Sequence, residues 1–236
     1  MEQQSFIERL MEFGLTRQEA NIYQCLLTEG KVTGYEVSKQ TGISRSNAYN
    51  SLANMTEKGA SYLVEEGHTR KYVPVPLDEF CRNRIRKLEE SRNWLIAHVP
   101  SERTYVEGYI TIEGADHILD KMRNILKKVE ERVYISLTRN YLLLLVGELQ
   151  TLIAAKKQVV IITDQPTAFS RAKVYVGEDR GMRIGVIADS RYVLTGEYGE
   201  GSMNTCLYSG QKNFVELYRT ALSNEIKLLS MREENQ

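Results

Sequence analysis

The stretch Thr33-Gly34-Tyr35-Glu36-Val37-Ser38-Lys39-Gln40-Thr41-Gly42-Ile43-Ser44-Arg45-Ser46-Asn47 decides how the first part of this chain folds. Thr33 and Glu36 have the spacing of a capping box, in which the threonine caps a helix start and the glutamate reaches back. Val37 points inward from that short helix, and Gly42 ends it. Ser44 is a good N-cap for a second helix, which runs from about Arg45 to Lys58. There Ala48, Leu52 and Met55 fall at i, i+4 and i+7 as a buried stripe, and Gly59 closes the helix. Two short helices joined by Thr41-Gly42-Ile43-Ser44 have the sequence form of a helix-turn-helix.

The flanks complete a small unit. Phe6, Ile7, Leu10 and Met11 mark one side of a weak amphipathic segment that Gly14 ends. Thr16 and Glu19 make another capping box, followed by Ala20, Ile22, Tyr23, Leu26 and Leu27 at helical spacing up to Gly30. After Gly59 the period changes to two. Ser61-Tyr62-Leu63-Val64 and Arg70-Lys71-Tyr72-Val73 read as strands of a hairpin, a wing, and Pro74 and Pro76 end it. Ser44, Arg45, Ser46, Asn47, Tyr49 and Asn50 cluster near the start of the second helix. These types suit a nucleic acid: arginine pairs with guanine or phosphate, asparagine is bidentate to adenine, and hydroxyls reach phosphates. Arg70 and Lys71 sit where a wing touches the flanking backbone. The rival reading of the same elements is a protein-interaction adaptor.

The run Phe13-Gly14-Leu15-Thr16-x-x-Glu19-Ala20-x-x-Tyr23-x-x-Leu26-Leu27 resembles the opening of the TrmB family of transcriptional regulators. Gly42-Ile43-Ser44-Arg45-Ser46-x-x-Tyr49-x-x-Leu52, then Glu57-Lys58-Gly59 and Tyr72-x-Pro74-x-Pro76, are similar as well, so the likeness covers residues 6 to about 80. One departure is Ala60-Ser61, where the family usually carries a larger apolar residue after the glycine. The resemblance implies a winged helix-turn-helix that binds double-stranded DNA and regulates transcription. Family members are reported to sense sugars, but the likeness locates no sugar site here, so a small-molecule effector stays unidentified.

Residues 77–99 form a connecting helix with no interior proline or glycine. Cys81, Ile85, Leu88, Leu95 and Val99 share one seam, interrupted at Arg92, which fits either a dimer helix or a helix lying on its own second domain. Arg82, Arg84, Arg86 and Lys87 read as a solvated charge run.

From Thr104 to the C-terminus the pattern is that of an α/β domain. A strand is expected over Tyr105–Ile112, a helix over Ala115–Glu130, strands at Val133–Leu137 and Val159–Thr163, and one apolar helix over Tyr141–Lys157. Lys173–Val176 is a strand, Arg183–Ala188 and Tyr192–Leu194 form a hairpin across Asp189-Ser190, and a last helix spans about Gln211 to Met231. This half resembles the phospholipase D-like domain of shorter TrmB-type regulators. Asp189 and Gly196 fit the tail of that superfamily's motif, but its histidine falls on Met182, its lysine on Ile184 and its serine on Glu197. Methionine cannot attack phosphorus and isoleucine cannot stabilise an anion, so the resemblance implies a domain that senses or dimerises without catalysis. Asp189 is expected as a turn residue. A phosphodiesterase or nuclease with a DNA-targeting head is the competing enzyme reading.

Composition sets the outer bounds. The 236 residues carry 31 basic and 31 acidic side chains, so a nucleic-acid reading needs local segregation of charge. Residues 1–30 hold two arginines against five glutamates, and residues 31–74 hold six Lys/Arg against four glutamates, net −3 and net +2. Cys25, Cys81 and Cys206 are far apart and the three histidines lack zinc-ligand spacing, so no metal is expected. Gly196-Glu197-Tyr198-Gly199-Glu200-Gly201 lacks the strand-to-helix context of a nucleotide loop, so no cofactor is expected either. The opening Met1-Glu2-Gln3-Gln4 has no secretory pattern and no apolar run reaches bilayer length, which points to the cytoplasm. The combined expectation is a dimeric, non-enzymatic regulator that reads a two-fold operator, with a wing-bearing head at 1–76, a connecting helix at 77–99 and an α/β domain at 104–236.

Overall fold

The computed structural model describes residues 2–100, 108–167 and 169–234, and the chain divides into two compact units between residues 102 and 103. The expected strand residues 105–107 lie outside the described residues.

In the first unit α1 (Glu2–Glu12) and α2 (Arg17–Glu29) precede a short strand β1 (Val32–Thr33). Then come α3 (Gly34–Thr41), α4 (Arg45–Lys58), β2 (Ser61–Glu66), β3 (Thr69–Pro74) and α5 (Leu77–Ala97). Both capping boxes form. The Glu19 amide donates to Thr16 Oγ1 at 3.2 Å and the Thr16 amide to Glu19 Oε2 at 2.7 Å. Thr33 and Glu36 repeat the arrangement at the start of α3. Gly42 takes φ 70° and ψ 6°, the left-handed cap that turns the chain between α3 and α4 and that glycine adopts without a Cβ clash.

The core of this unit buries Ile22, Tyr23, Leu26, Leu52, Met55 and Phe80, each at most 2% exposed. Phe80 is a residue of α5, so the first turns of the connecting helix belong to the packing of the head. Tyr23 packs 5.6 Å from the Phe80 ring and donates its hydroxyl to the Val75 carbonyl at 2.6 Å. Burial there pushes the Tyr23 phenol up to about 12. The small residues Ala60 and Ser61 fit where the family resemblance expects something larger. Ala60 is fully buried, Ser61 Oγ lies 3.0 Å from Thr56 Oγ1, and the wing register starts at Ser61 opposite Pro74. The wing has a third strand, because Val32 and Thr33 pair with Tyr72 and Lys71. Two residues are too short a run to show an alternation in sequence.

The second unit contains β4 (Tyr109–Glu113), α6 (Ala115–Lys127), β5 (Arg132–Ser136), α7 (Arg139–Leu142), α8 (Val146–Ala154) and β6 (Gln158–Thr163). It continues through β7 (Lys173–Val176), β8 (Arg183–Ala188), β9 (Tyr192–Glu197), β10 (Thr205–Ser209) and α9 (Lys212–Glu234). The strand order is β4-β10-β9-β8-β5-β6-β7, with β5, β6 and β7 parallel and the remaining neighbours antiparallel. Alternate residues supply two cores. Val133, Ile135 and Ile161 face α6 and α8, while Ile162, Ile187 and Val193 face α9, so helices cover both sides of the sheet.

Two expectations need correction here. The single helix over Tyr141–Lys157 is broken by a 3₁₀ turn at Leu143–Leu145. Leu142 and Leu145 are both fully buried, and a three-residue turn sets i and i+3 on one line, whereas Leu143 and Leu144 are left exposed. The strand β10, absent from the sequence reading, sits between β4 and β9. The parallel pairs of the sheet are β5–β6 and β6–β7, and β4 pairs antiparallel with β10.

Candidate nucleic-acid interface

The start of α4 presents the residues expected for DNA. Ser44 caps the helix and accepts the Asn47 amide at 3.4 Å, and its hydroxyl lies 3.4 Å from that of Ser46. Ser44, Arg45, Ser46, Asn47, Tyr49 and Asn50 are all exposed, while Ala48 between them is buried. The helix thus turns one polar face outward at its N-terminal end, where the free N–H groups and the macrodipole favour a phosphate. The Asn47 and Asn50 amide groups make no hydrogen bond among the described residues, so their donors and acceptors are open.

Neighbours fix two of these side chains. The Arg45 guanidinium lies 4.4 Å above the Tyr35 ring, a cation–π contact that holds it at the surface without neutralising it. The Tyr49 ring lies against Gly34, where a Cβ would come within 2.5 Å of it. Neither Tyr35 nor Gly34 was singled out from sequence. Each is more than nine residues from its partner, and helical spacing within α4 cannot reveal a contact made across the turn from α3.

On the wing the basic residues are already engaged. Arg70 Nε lies 3.2 Å from Glu65, and Lys71 Nζ lies 2.8 Å from Glu66. Lys31, also missed from sequence, shares the Glu66 carboxylate. All of these side chains stay at least a third exposed, so the pairs are solvent-screened and exchangeable. The structure brings Lys31, Arg70 and Lys71 onto one wing, but in balance with its own carboxylates.

An ion pair between the buried Glu19 and the exposed Lys58 underpins the helices. Lys58, at the end of α4, reaches Glu19 Oε2 at 2.6 Å and the Gly14 carbonyl at 3.1 Å. Burial opposes the charge on Glu19, which is 2% exposed, yet the Lys58 ammonium and the Thr16 donors outweigh it and hold the carboxyl below its usual range. The lysine of the Glu57-Lys58-Gly59 motif is thus a clamp between α2 and α4. On α5, Arg82 and Arg86 pair with Asp78 and Glu90, whereas Arg84 packs against Gly14. Ile85, Leu88, Leu95 and Val99 are exposed, and Cys81 alone of that seam packs against the head's core.

In the second unit the positions that the phospholipase D-like resemblance singled out split: Met182, Ile184, Gly196 and Glu197 lie together across β8 and β9, and Asp189 lies apart at the turn. Ile184 is buried in β8, and Met182 and Asp189 lie beyond opposite ends of that strand. Asp189 and Ser190 adopt φ values of 51° and 54°, those of a tight hairpin turn. The Asp189 carboxylate accepts the backbone N–H groups of Glu130, Glu131 and Arg132 at 2.8–2.9 Å. Burial works against its charge, but these donors and Arg191 keep the carboxyl below its usual range. It ties the β8–β9 turn to the start of β5.

Residues 10–78 match the family described as sugar-specific transcriptional regulator TrmB. The chain is 28% identical over 170 residues to the uncharacterized protein YrhO of Bacillus subtilis, covering 68% of this chain and 58% of that one. It is 24% identical over 217 residues to the HTH-type sugar sensing transcriptional regulator TrmBL1 of Pyrococcus furiosus, covering 89% of this chain and 61% of that one. The chain spans about three-fifths of the length of these relatives. Among solved structures it is similar to TrmBL2, described as an archaeal chromatin protein with a novel mode of DNA binding. The TM-score is 0.46 at 16% identity, over 96% of this chain and 99% of that one.

Proposed function

We propose that this chain, whose residues 10–78 match the TrmB family of transcriptional regulators, acts by binding duplex DNA with α4 in the major groove. The observation that carries this is the start of α4, a serine-capped helix end whose arginine and asparagine side chains are exposed and, among the described residues, free of hydrogen-bonded or ionic partners. Arg45, Asn47 and Asn50 read or approach base edges, Ser44, Ser46 and Tyr49 meet phosphates, and Arg70 and Lys71 hold the flanking backbone.

A dimer on a two-fold operator is part of the same proposal. One short recognition helix reads few base pairs, and regulators of this architecture pair half-sites about 10 base pairs apart or a multiple of that. The exposed Ile85, Leu88 and Leu95 stripe on α5 supports such pairing, with Val99 exposed just beyond the helix end. The second unit dimerises or senses an effector and performs no phosphodiester chemistry, a reading supported by Met182, Ile184 and the structural engagement of Asp189.

Duplex binding measured across a salt series tests the central claim. Affinity should fall linearly in log–log form as phosphate contacts release counterions, and an affinity independent of salt would overturn it. A monomer mass by light scattering under DNA-binding conditions would overturn the dimer. Turnover of bis-para-nitrophenyl phosphate that disappears on Asp189→Ala would overturn the non-enzymatic reading.

A further inference from the structure

The second unit has a groove between α9 and the starting edge of its parallel strands, with a volume of about 480 Å³, which is within the ordinary range for a small-ligand site. Arg132 and Lys173 are the first residues of β5 and β7, and the parallel register brings both to the same edge of the sheet. Arg219 and Lys227 come from α9, eight residues apart and so about 12 Å along the helix. Four cationic side chains thus line the groove and no carboxylate does, although the whole chain is charge-balanced. Lys173 and Lys227 have no ion-pair partner among the described residues, and Arg219 is paired only with Glu216 one turn before it. The side chains of Tyr134 and Tyr175 line the groove, with apolar support from Ile162, Ile187 and Leu222. Gln158, between Arg132 and Lys173 on the strand side, and Asn224, on the helix side, add amide donors and acceptors.

Cations on two banks, a half-buried aromatic lining and uncharged amides suit one kind of molecule. We propose that this groove binds a small organic phosphate, with Lys173 and Lys227 taking the anionic groups and Gln158 and Asn224 meeting its hydroxyls. The groove reaches Ser190 of the β8–β9 turn and is separate from Met182 and Ile184. It gives the effector of the proposed regulator a location and a chemical class, and it rests on that reading only for its regulatory meaning.

The test uses the full chain and fructose 1,6-bisphosphate as probe, with fructose and a salt of matched ionic strength as controls. A ligand bound only by the folded state raises Tm in a saturable way. The bisphosphate should raise Tm and give a saturable calorimetric isotherm, and neither control should. The Lys173→Gln/Lys227→Gln protein should keep its circular dichroism spectrum and bind the bisphosphate about tenfold more weakly or worse, because each lost ammonium removes a charge-assisted contact. No saturable binding of the probe, an equal shift with matched salt, or unchanged affinity in the double variant would each overturn the proposal. So would a double variant that loses duplex DNA affinity while the small phosphate never binds, since the groove would then serve a nucleic-acid backbone. An Arg45→Ala/Asn47→Ala/Asn50→Ala protein should bind the bisphosphate normally, so failure of the DNA reading and failure of this one give different results.

Discussion

The start of α4 and the wing both carry cations toward solvent, but those cations begin from different states. Arg45 rests on the Tyr35 ring with its charge unneutralised, and Asn47 and Asn50 have unused hydrogen-bonding groups. Arg70 and Lys71, together with Lys31, are held by Glu65 and Glu66 of the same hairpin. A phosphate approaching the wing must displace a carboxylate, and one approaching α4 need not. The helix is therefore expected to supply most of the affinity and all of the base reading, and the wing a smaller term blunted by its own acids. Under the proposed function, the contrast also accounts for how a chain with 31 basic and 31 acidic residues could meet DNA without a basic domain.

The largest expected effect tests the helix side of this contrast. Replacing Arg45, Asn47 and Asn50 together by alanine should weaken operator binding by more than about 100-fold, since each base-reading side chain contributes ~1–3 kcal/mol. Fluorescence anisotropy at fixed salt measures it, and unchanged affinity would break the comparison at its strong end.

Next comes the pair that is not available to DNA. Glu19→Gln should destabilise the head by about 1–3 kcal/mol, because the Lys58 and Thr16 donors lose a buried, charged acceptor. Denaturant unfolding followed by the helix signal reads this directly. The linkage has a definite sign. The Glu19 carboxyl is lowered in the folded state, so its stabilisation is complete above the unfolded-state value and is lost as pH falls through the lowered folded-state value. The acid side of the stability profile should therefore flatten in Glu19→Gln, and an identical acid profile would remove Glu19 from the account.

The smallest effects sharpen the wing side. Lys71→Ala should weaken all duplexes alike and reduce the log–log salt slope by about 1. Glu66→Gln should strengthen binding about two- to fivefold, because it releases Lys31 and Lys71 from an exposed pair of modest strength. If Glu66→Gln weakens binding instead, the carboxylate positions the two lysines, and the wing contributes through geometry and not through freed charge.

Local chemistry made much of this legible from sequence. The capping boxes at Thr16 and Thr33, the Ser44 cap and the Gly42 and Gly59 stops each act within one helical turn, so their signals lie within a few residues. The same holds for the Asp189-Ser190 turn and for the stripe of Ala48, Leu52 and Met55. Where long-range packing chose the conformation, local pattern failed. The run Leu142–Val146 gave one helix by hydropathy, but burying Leu142 and Leu145 together required a 3₁₀ turn. The strand β10 offers a short mixed stretch whose partners lie in β4 and β9, far away in sequence.

The site divides along the same line. Sequence alone determined which side chains stand at the start of α4 and on the wing, because helix phase and strand alternation fix the outward face of each element. Only the tertiary structure decided what those side chains touch. It set the Tyr35 ring beneath Arg45, gave Gly34 to Tyr49, placed Lys31 and Lys71 on one glutamate and closed Lys58 onto Glu19. Each of these contacts joins residues from different elements, and a local periodicity carries no information about which element the fold will bring alongside.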